Sequence, residues 1–308
     1  MIAPRSTIEI VEVSARDGLQ NEKQVSFSTA QKIALIERMV VAGAKRLEVA
    51  SFVRPDAVPQ MADAEAVIAG LSLPANVITV GLVMNKRGAL RALETKVREI
   101  GAVCVASDSF AKANQGQTSL ESVGVAADIV GFARQEGRRA QVTIGGAFGC
   151  PFEGEVSPDH VLAMAARIAE SGPVEIALAD TIGVAVPSQV FELVSRVRGV
   201  VGSLPIRVHL HNTRNTGYAN AIAAIEAGAA TLDASVGGIG GCPFAPNATG
   251  NIATEDLLYL LHRSGFATGL DLDATMETAR WLAGEMARDV PGLLSRAGIF
   301  PPSNQTQG

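Results

Sequence analysis

The chain has 308 residues, of which 47% are hydrophobic, enough to bury a large core. Only 4% are aromatic, so alanine, valine, isoleucine and leucine must build most of that core. A net charge of −5 without a basic cluster argues against nucleic acid or an anionic membrane surface as a partner. An anionic small molecule is still allowed, because a few well-placed cations suffice to bind it.

The cysteine count and the N-terminal residues bear on the cellular compartment. Cys104, Cys150 and Cys242 are three in number and lie in widely separated contexts, which argues against a disulfide framework. The first residues lack the basic-then-apolar pattern of a signal peptide, and no apolar run reaches membrane-spanning length. We therefore expect a cytoplasmic protein with free thiols and no membrane partner.

Short strand-like runs alternate with stretches of helical periodicity, such as Thr29–Ala42 and Pro187–Val197. This alternation predicts βαβ units and a parallel sheet. Eight strands favour a closed (β/α)₈ TIM barrel, although a doubly wound open sheet uses the same units. The predicted strands are Ile8–Val13, Arg46–Ala50, Val77–Val83, Ala102–Ala106, Gln141–Gly145, Glu175–Ala179, Ile206–His211 and Thr231–Val236.

Further helical periodicity follows the eighth unit, over Asp273–Ser295, and Pro301–Gly308 has the composition of a frayed tail. No linker, solenoid repeat or low-complexity tract interrupts the chain. We therefore predict a single domain over residues 1–308, with the barrel at about 8–268 and a C-terminal helical extension at about 269–300.

Two histidines near the end of the seventh predicted strand are candidate metal ligands. Active sites of such barrels lie at the C-terminal ends of the strands. His209 and His211 are two residues apart, so on a strand both side chains project from the same face. The structural alternative is one buried histidine bonded to a carbonyl and one incidental histidine. His160 and His262, on helical segments, are expected to be surface or hydrogen-bonded residues.

Oxygen ligands at the same rim would complete a site for a hard divalent cation such as Mg²⁺ or Mn²⁺. Asp17 follows the first strand, and Asn251 lies before a helix that begins near Thr254. Taken singly, Asp17 can cap a turn and Asn251 can cap that helix. Their common position at the rim favours a mixed nitrogen and oxygen ligand set with open positions for substrate oxygens.

Arg16 stands next to Asp17 and should point elsewhere, since adjacent strand residues face opposite sides unless the chain is already turning. An arginine at this rim can bind a carbonyl or enolate oxygen. The structural alternative is an ion pair with Glu48 or Asp180, and both roles can hold together.

The third cysteine, Cys242, lies in a glycine-rich loop that starts at Gly237. Glycines allow close backbone approach and loop closure over a ligand, so a thiol there can serve as proton donor or nucleophile. Cys104, on a strand, and Cys150, before a proline, are expected to be buried packing residues.

A series of ordered motifs from about Ile8 to Thr268 resembles the hydroxymethylglutaryl-CoA lyase family, in the metallolyase group named for its Asp-Arg-Glu constellation on a barrel. The motifs are Arg16–Glu22, Ser51–Val53 with Val58–Met61, Gly149–Gly154, Asp180–Gly183, His209 with His211, Gly238–Pro243 and Gly250–Asp256.

The resemblance implies a role for each matched position. Asp17, His209, His211 and Asn251 correspond to metal ligands, and Arg16 to the residue that steadies the thioester carbonyl as it becomes an enolate. Glu48 and Asp180 correspond to acidic residues that orient the site and assist proton transfer, and Cys242 to the loop cysteine that completes it. Further contacts to an acyl-CoA substrate, beside Arg16, are expected from Gln20, Ser51, Asn114 and Thr181. The resemblance also implies a homodimer.

The reaction implied is a retro-Claisen cleavage of 3-hydroxy-3-methylglutaryl-CoA or a close analogue, which gives acetyl-CoA and acetoacetate or its analogue. A cation acidifies the tertiary alcohol, and a base, His209 or Asp180, removes its proton. Arg16 then stabilises the expelled enolate, and Cys242 or a relayed proton quenches it.

Departures from the family pattern leave the acyl substrate open. Residues Asn212–Gly217 replace the usual Asp-Thr-Tyr-Gly run, and Val83–Arg87 lacks the usual Pro-Asn. Arg214 offers a cation to the acyl end if it faces inward and is a solvated surface residue if it faces outward. Two other functions compete with the lyase: a Claisen-condensing synthase or aldolase of the same group, and an inactive barrel that only binds metal or acyl-CoA.

Overall fold

A computed structural model describes residues 6–241 and 250–301. Its parallel strands close into a barrel in the order β1 to β8, and β1 pairs with β8 to complete the ring. The strands are β1 (Glu9–Glu12), β2 (Arg46–Ser51), β3 (Ile78–Val83), β4 (Glu99–Val105), β5 (Arg139–Gly145), β6 (Ile176–Asp180), β7 (Ile206–Leu210) and β8 (Thr231–Ala234).

Helices follow the strands and cover the outside of the barrel. Two begin with reciprocal capping boxes, Ser28 with Gln31 and Thr118 with Glu121, which satisfy free N–H groups of the first turn. The helices are α1 (Thr29–Val41), α2 (Ala64–Gly70), α3 (Lys86–Leu93), α4 (Asp108–Gln115), α5 (Ser119–Gln135), α6 (Pro158–Glu170), α7 (Pro187–Val201), α8 (Gly217–Glu226), α9 (Thr254–Arg263), α10 (Leu272–Met286) and α11 (Leu294–Ala297).

The TIM barrel predicted from the sequence is confirmed, and pairing of β1 with β8 excludes the open doubly wound sheet. Six strands begin within one residue of the predicted position, and β5 begins two residues before it, at Arg139 rather than Gln141. The largest difference is at β4, which begins at Glu99 rather than Ala102, because Glu99 faces the barrel interior and pairs there with Arg46. None of the helices in the described ranges is both long and apolar enough to cross a membrane.

The C-terminal helical extension predicted from the periodicity of Asp273–Ser295 is confirmed, and it consists of two helices, α10 and α11, with a break between them. Ala287 adopts a left-handed conformation with φ of 50°, which ends α10, and Pro291 follows in the connection. The α10 helix packs on α1, where the guanidinium of Arg38 lies 4.7 Å from the centre of the Trp281 ring. The C-terminal helices thus pack on the outside of the barrel.

The lower barrel interior contains charged side chains rather than a purely apolar filling. Arg46 is buried between the carboxylates of Glu99 and Glu175, at 2.9 Å from the latter. Arg139 adds a 3.0 Å ion pair with Glu99. Because a buried charge is costly unless it is paired, these residues form a mutually paired ionic network. The network lies in the barrel interior, beneath the polar residues of the C-terminal rim.

Candidate active site

The end of β1 turns through a π-helical segment, Ser14–Gly18, before the chain leaves the barrel. The carbonyl of Val13 accepts from the N–H groups of Arg16, Asp17 and Gly18, at 3.2, 2.8 and 3.2 Å. Turns of this kind are frequent at functional sites. The expectation that Arg16 and Asp17 point apart holds only for an extended strand. Here the turn directs both side chains into the barrel mouth.

Arg16 forms the centre of a buried ionic cluster. Its Nε and Nη2 donate to the same oxygen of Glu48, at 2.8 and 2.5 Å, and Nη1 donates to Asp17 at 2.6 Å. The ion pair with Glu48 that the sequence left open is therefore present. A guanidinium has five N–H donors, so two remain beyond these three bonds. Arg16 is thus rigidly held and still able to bind an oxyanion in the pocket that it lines.

The two histidines of the seventh strand approach each other closely. The Nε2 atoms of His209 and His211 are 3.1 Å apart, and both side chains are buried. The other ring nitrogen of His209, Nδ1, lies 3.1 Å from a carboxylate oxygen of Asp233 on β8. Nδ1 of His211 is buried without a hydrogen-bond partner among the described residues. The predicted convergence of the two imidazoles is therefore present.

Asp17 and Asn251 lie close to the two histidines. The Oδ2 atom of Asp17 is 4.0 Å from Nε2 of His209, and one ligand atom from each of Asp17, His209 and His211 lies within 4.8 Å of the others. A β-bridge between His211 and Asn251 brings Asn251 across. Its amide donates to Asp17 at 2.8 Å and to the carbonyl of Ile239 at 3.0 Å. It does not cap α9, whose N-cap is Ala253.

The charges of these groups follow from burial and from each other. Burial alone would raise the pKa of Asp17, but Arg16 and the two histidines hold it well below its usual range. Burial would lower the pKa of His209, yet the hydrogen bond with Asp233 and the charge of Asp17 raise it. Burial and the charge of His209 lower the pKa of His211 to about 3. Near neutral pH the site therefore contains an ionised carboxylate and a neutral imidazole.

This donor set fits a divalent cation. Two ligand atoms on one octahedral ion, each at about 2.1 Å, stand about 3 Å apart, close to the spacing of the two imidazole nitrogens. The Oδ1 atom of Asn251 is buried and has no hydrogen-bond partner in the described chain. An oxygen left in that state is available to an ion. The carboxylate, imidazole and amide atoms thus form a possible metal-binding group.

Two connected cavities open beside this group. One, of about 150 Å³, is lined by Arg16, Asp17, Glu48 and both histidines, among others. The other, of about 1010 Å³, runs between the β2, β3 and β4 connections. Gln20 and Asn114 line both cavities. Ser51 is fully buried and donates to the side-chain oxygen of Gln20 at 3.0 Å, so it supports Gln20 from behind rather than lining either cavity.

After β6 the predicted acidic and hydroxyl residues have different surroundings. Both carboxylate oxygens of Asp180 accept backbone N–H groups of its own loop, from Val184 at 2.9 Å and Ala185 at 3.1 Å. Burial raises the pKa of Asp180. Thr181 lines the smaller cavity and accepts from the N–H of Gly146 at 2.9 Å. Asp180 thus shapes the loop that presents Thr181.

Arg214 faces away from the small cavity. It is exposed, and its Nη1 donates to the carbonyls of Ile182 and Gly183, at 3.2 and 2.8 Å. Of the two orientations that the sequence allowed for Arg214, the structure therefore shows the outward one. Its guanidinium braces the β6 loop and is not placed to bind the acyl end of a substrate.

The glycine-rich loop after β8 is described as far as Gly241, so Cys242 lies outside the described residues. Gly240 has φ of 122°, and a Cβ there would stand 2.5 Å from the amide nitrogen of Asn251. Only glycine allows this approach to the metal-binding group. Cys104 and Cys150 are buried, as predicted. His160 and His262 are hydrogen-bonded to Ser119 and Thr268, at 3.0 and 2.9 Å.

Asp233 and Arg207 are two further residues of the site, and neither was predicted from the sequence. Both line the small cavity, and Asp233 contacts His209 directly. A signal was present in the strand pattern. Arg207 precedes His209 by two residues, so it must face the barrel interior as well, and Asp233 has an acidic side chain inside a buried strand.

The closed barrel carries a buried Arg-Asp-Glu cluster beside two converging histidines at its C-terminal rim, an arrangement that fits a metal-dependent enzyme acting on carbon–carbon bonds. A family model described as HMGL-like matches residues 7–282, and the chain belongs to this family. The predicted class of enzyme, a carbon–carbon lyase, is confirmed.

Individual relatives agree over nearly the whole chain. An (R)-citramalyl-CoA lyase of Chloroflexus aurantiacus is 43% identical, with 96% of each chain covered. A cytoplasmic 3-hydroxy-3-methylglutaryl-CoA lyase of Danio rerio is 38% identical, over 94% of this chain and 86% of the relative. A solved HMG-CoA lyase of Acinetobacter baumannii, in complex with coenzyme A and 3-methylmalate, has a TM-score of 0.92 and 39% identity, with 96% of each chain covered.

Proposed function

We propose that this enzyme cleaves short branched 3-hydroxyacyl-CoA thioesters that carry a free carboxylate, and that it accepts both citramalyl-CoA and 3-hydroxy-3-methylglutaryl-CoA. The observation that carries the proposal is the small cavity, in which Arg16 lies beside the carboxylate and imidazole group. The products are acetyl-CoA and a 2-keto or 3-keto acid. Relatives named for each of the two substrates support the range.

The proposed metal ligands are Asp17, His209, His211 and Asn251, the last through its unpartnered Oδ1. The proposed ion is Mg²⁺ or Mn²⁺, since carboxylate and amide oxygens suit hard cations. When bound, such an ion would acidify the carbinol of the substrate.

Arg16 is the proposed stabiliser of the enolate. Collapse of the alkoxide forms the ketone and breaks the adjacent carbon–carbon bond, and the electron pair passes to the thioester carbonyl. A proton, delivered by Cys242 or by a relay, then adds to the enolate carbon and gives acetyl-CoA. The two N–H donors of Arg16 that remain free can bind that oxygen as its charge develops. Glu48 keeps the guanidinium in place through two bonds to one of its oxygens.

Geometry limits which group can act as general base. His209 cannot supply a free nitrogen if Nε2 is a metal ligand, because Nδ1 lies on Asp233. Asp180 is not among the residues that line the small cavity, and both of its oxygens accept N–H groups of its own loop, so we assign it a positioning role. Gln20, Asn114 and Thr181 remain the proposed substrate contacts, while Ser51 acts through Gln20.

The larger cavity is the proposed path of the coenzyme A arm. It joins the small cavity at Gln20 and Asn114, and its volume of about 1010 Å³ suits a long ligand. Arg54 and Lys86 line it and offer cations to phosphate groups. We further propose a cytoplasmic location, supported by the relative named cytoplasmic. Homodimer formation stays a prediction from the family resemblance.

A substrate panel tests the proposed range. The expected kcat/KM for citramalyl-CoA is at least equal to that for 3-hydroxy-3-methylglutaryl-CoA, and Arg214→Ala changes the ratio by less than about twofold, because this side chain lies outside the cavity. The measurement is acetyl-CoA release with each substrate and each protein. Exclusive use of one substrate would contradict the range, and a large shift of the ratio in Arg214→Ala would place this arginine at the acyl end.

A further inference from the structure

Below the two histidines, β7 and β8 carry a pair of buried charges. Arg207 and Asp233 are 2% and 5% exposed. The Nε atom of Arg207 lies 3.5 Å from Oδ1 of Asp233 and 3.5 Å from Oε2 of Glu175. Nη2 of Arg207 donates to the hydroxyl of Thr143 at 3.3 Å. One oxygen of Asp233 thus faces a cation, and the other faces His209.

The contact between Asp233 and His209 determines where the imidazole carries its proton. An ionised carboxylate can only accept, so the proton of a neutral ring sits on Nδ1, 3.1 Å from Oδ2 of Asp233. The electron pair of Nε2 then points toward Nε2 of His211 and toward Asp17. Carboxylates that hold a ligating histidine in this way orient its ring and increase its basicity.

Arg207 is suited to holding Asp233 and not to binding a substrate anion. Although two of its nitrogens lack a hydrogen-bond partner among the described residues, two carboxylates already lie 3.5 Å from Nε. A further anion would add a third negative charge to a buried pocket whose positive charge is already balanced.

We propose that Asp233 is a positioning residue that fixes His209 in the tautomer with a free Nε2 electron pair, and that Arg207 holds Asp233 in the required orientation. The inference rests on the proposed metal site, of which His209 is a ligand. It adds two residues, from β7 and β8, that set metal affinity without touching the ion.

The test is Asp233→Asn in the full chain. The amide has the same shape but can donate to Nδ1, which moves the ring proton to Nε2 and blocks the ligand electron pair. Mn²⁺ binding, measured by calorimetric titration, is expected to weaken about 10-fold to 100-fold. Nitrogen NMR of the metal-free proteins, above the pKa of His209, is expected to show Nδ1–H in the wild type and Nε2–H in the variant.

Glu99→Gln is the matched control. Glu99 is an equally buried carboxylate of the barrel interior, paired with Arg46 and Arg139, and it does not contact His209. This control is expected to lose stability and to keep Mn²⁺ affinity within about twofold of the wild type.

The outcomes separate the inference from the proposed function. Equal Mn²⁺ affinity in Asp233→Asn and wild type would overturn the positioning role and leave the metal site standing. Absence of Mn²⁺ binding in the wild type would overturn both. If Asp233→Asn does not fold, the wild-type spectrum alone decides, because an Nε2–H tautomer of His209 contradicts the proposal.

Discussion

At the scale of single residues, Cys104 and Cys242 have different expected roles, the first in packing and the second in catalysis. Cys104 is fully buried on β4, its sulfur is 3.7 Å from the carbonyl of Thr143, and burial raises the pKa of its thiol to about 12. Such a thiol is inert and contributes by filling space. Cys104→Ser is expected to lower the free energy of unfolding by about 1 kcal/mol or more and to leave kcat near the wild-type value.

Cys242→Ser is the matched comparison, because the family resemblance places this residue in the chemistry. The expected result is a strong fall in kcat with an almost unchanged melting temperature, measured by acetyl-CoA release and by thermal unfolding. The reverse pattern, a large loss of stability in Cys242→Ser with near-normal turnover, would assign Cys242 to packing instead.

Residue types and strand periodicity were sufficient to place His209, His211 and Asp17 together, since each lies at or just after the C-terminal end of a strand of the same parallel barrel. They were not sufficient for Arg214 or Asp233. Whether Arg214 faces the pocket depends on the carbonyls that the β6 loop presents to it. The contact of Asp233 with His209 depends on the register of two strands, which no local pattern specifies.

At the scale of elements, α9 is linked to the glycine-rich loop through a buried carboxylate. Glu255 is fully buried, and its Oε2 accepts from the N–H of Gly237 at 2.9 Å. Burial raises its pKa from 4.5 to about 8. The folded protein therefore keeps a proton that the unfolded chain releases above 4.5. The stability from this proton is complete below pH 4.5 and is lost as the pH rises to about 8.

Glu255→Gln removes this titration. Between pH 5 and pH 8 the free energy of unfolding of the wild type is expected to fall by about 1.4 kcal/mol per pH unit more than that of the variant. Urea unfolding of both proteins at several pH values measures the difference. Parallel stability curves would show that Glu255 is already ionised in the folded protein.

Sequence periodicity predicted the strands but not every turn between elements. Alternation of strand-like and helical segments predicted all eight strands, because burial on both faces leaves a continuous apolar signal. The turn at Ser14–Gly18 and the break after Met286 were not predicted. The first depends on three N–H groups sharing the carbonyl of Val13, and the second on a left-handed Ala287.

At the scale of the whole molecule, barrel closure assembles the site. Arg16 and Asp17 come from the end of β1, Glu48 from β2, and the histidines from β7. The residues of β1 and β7 reach the same end of the barrel because β8 pairs with both of these strands. The closed barrel was predictable because eight strand-like segments alternate with helical ones in the sequence. The contacts within the buried ionic network depend on three-dimensional packing, which the sequence pattern does not specify.

The most direct test of the account is acetyl-CoA release from citramalyl-CoA and 3-hydroxy-3-methylglutaryl-CoA by protein that has been verified as metal-free. Turnover is expected to be absent, and to return on addition of Mg²⁺ or Mn²⁺, since Asp17 and the two histidines alone leave the substrate alcohol unactivated. Full turnover by the metal-free protein would contradict the central claim.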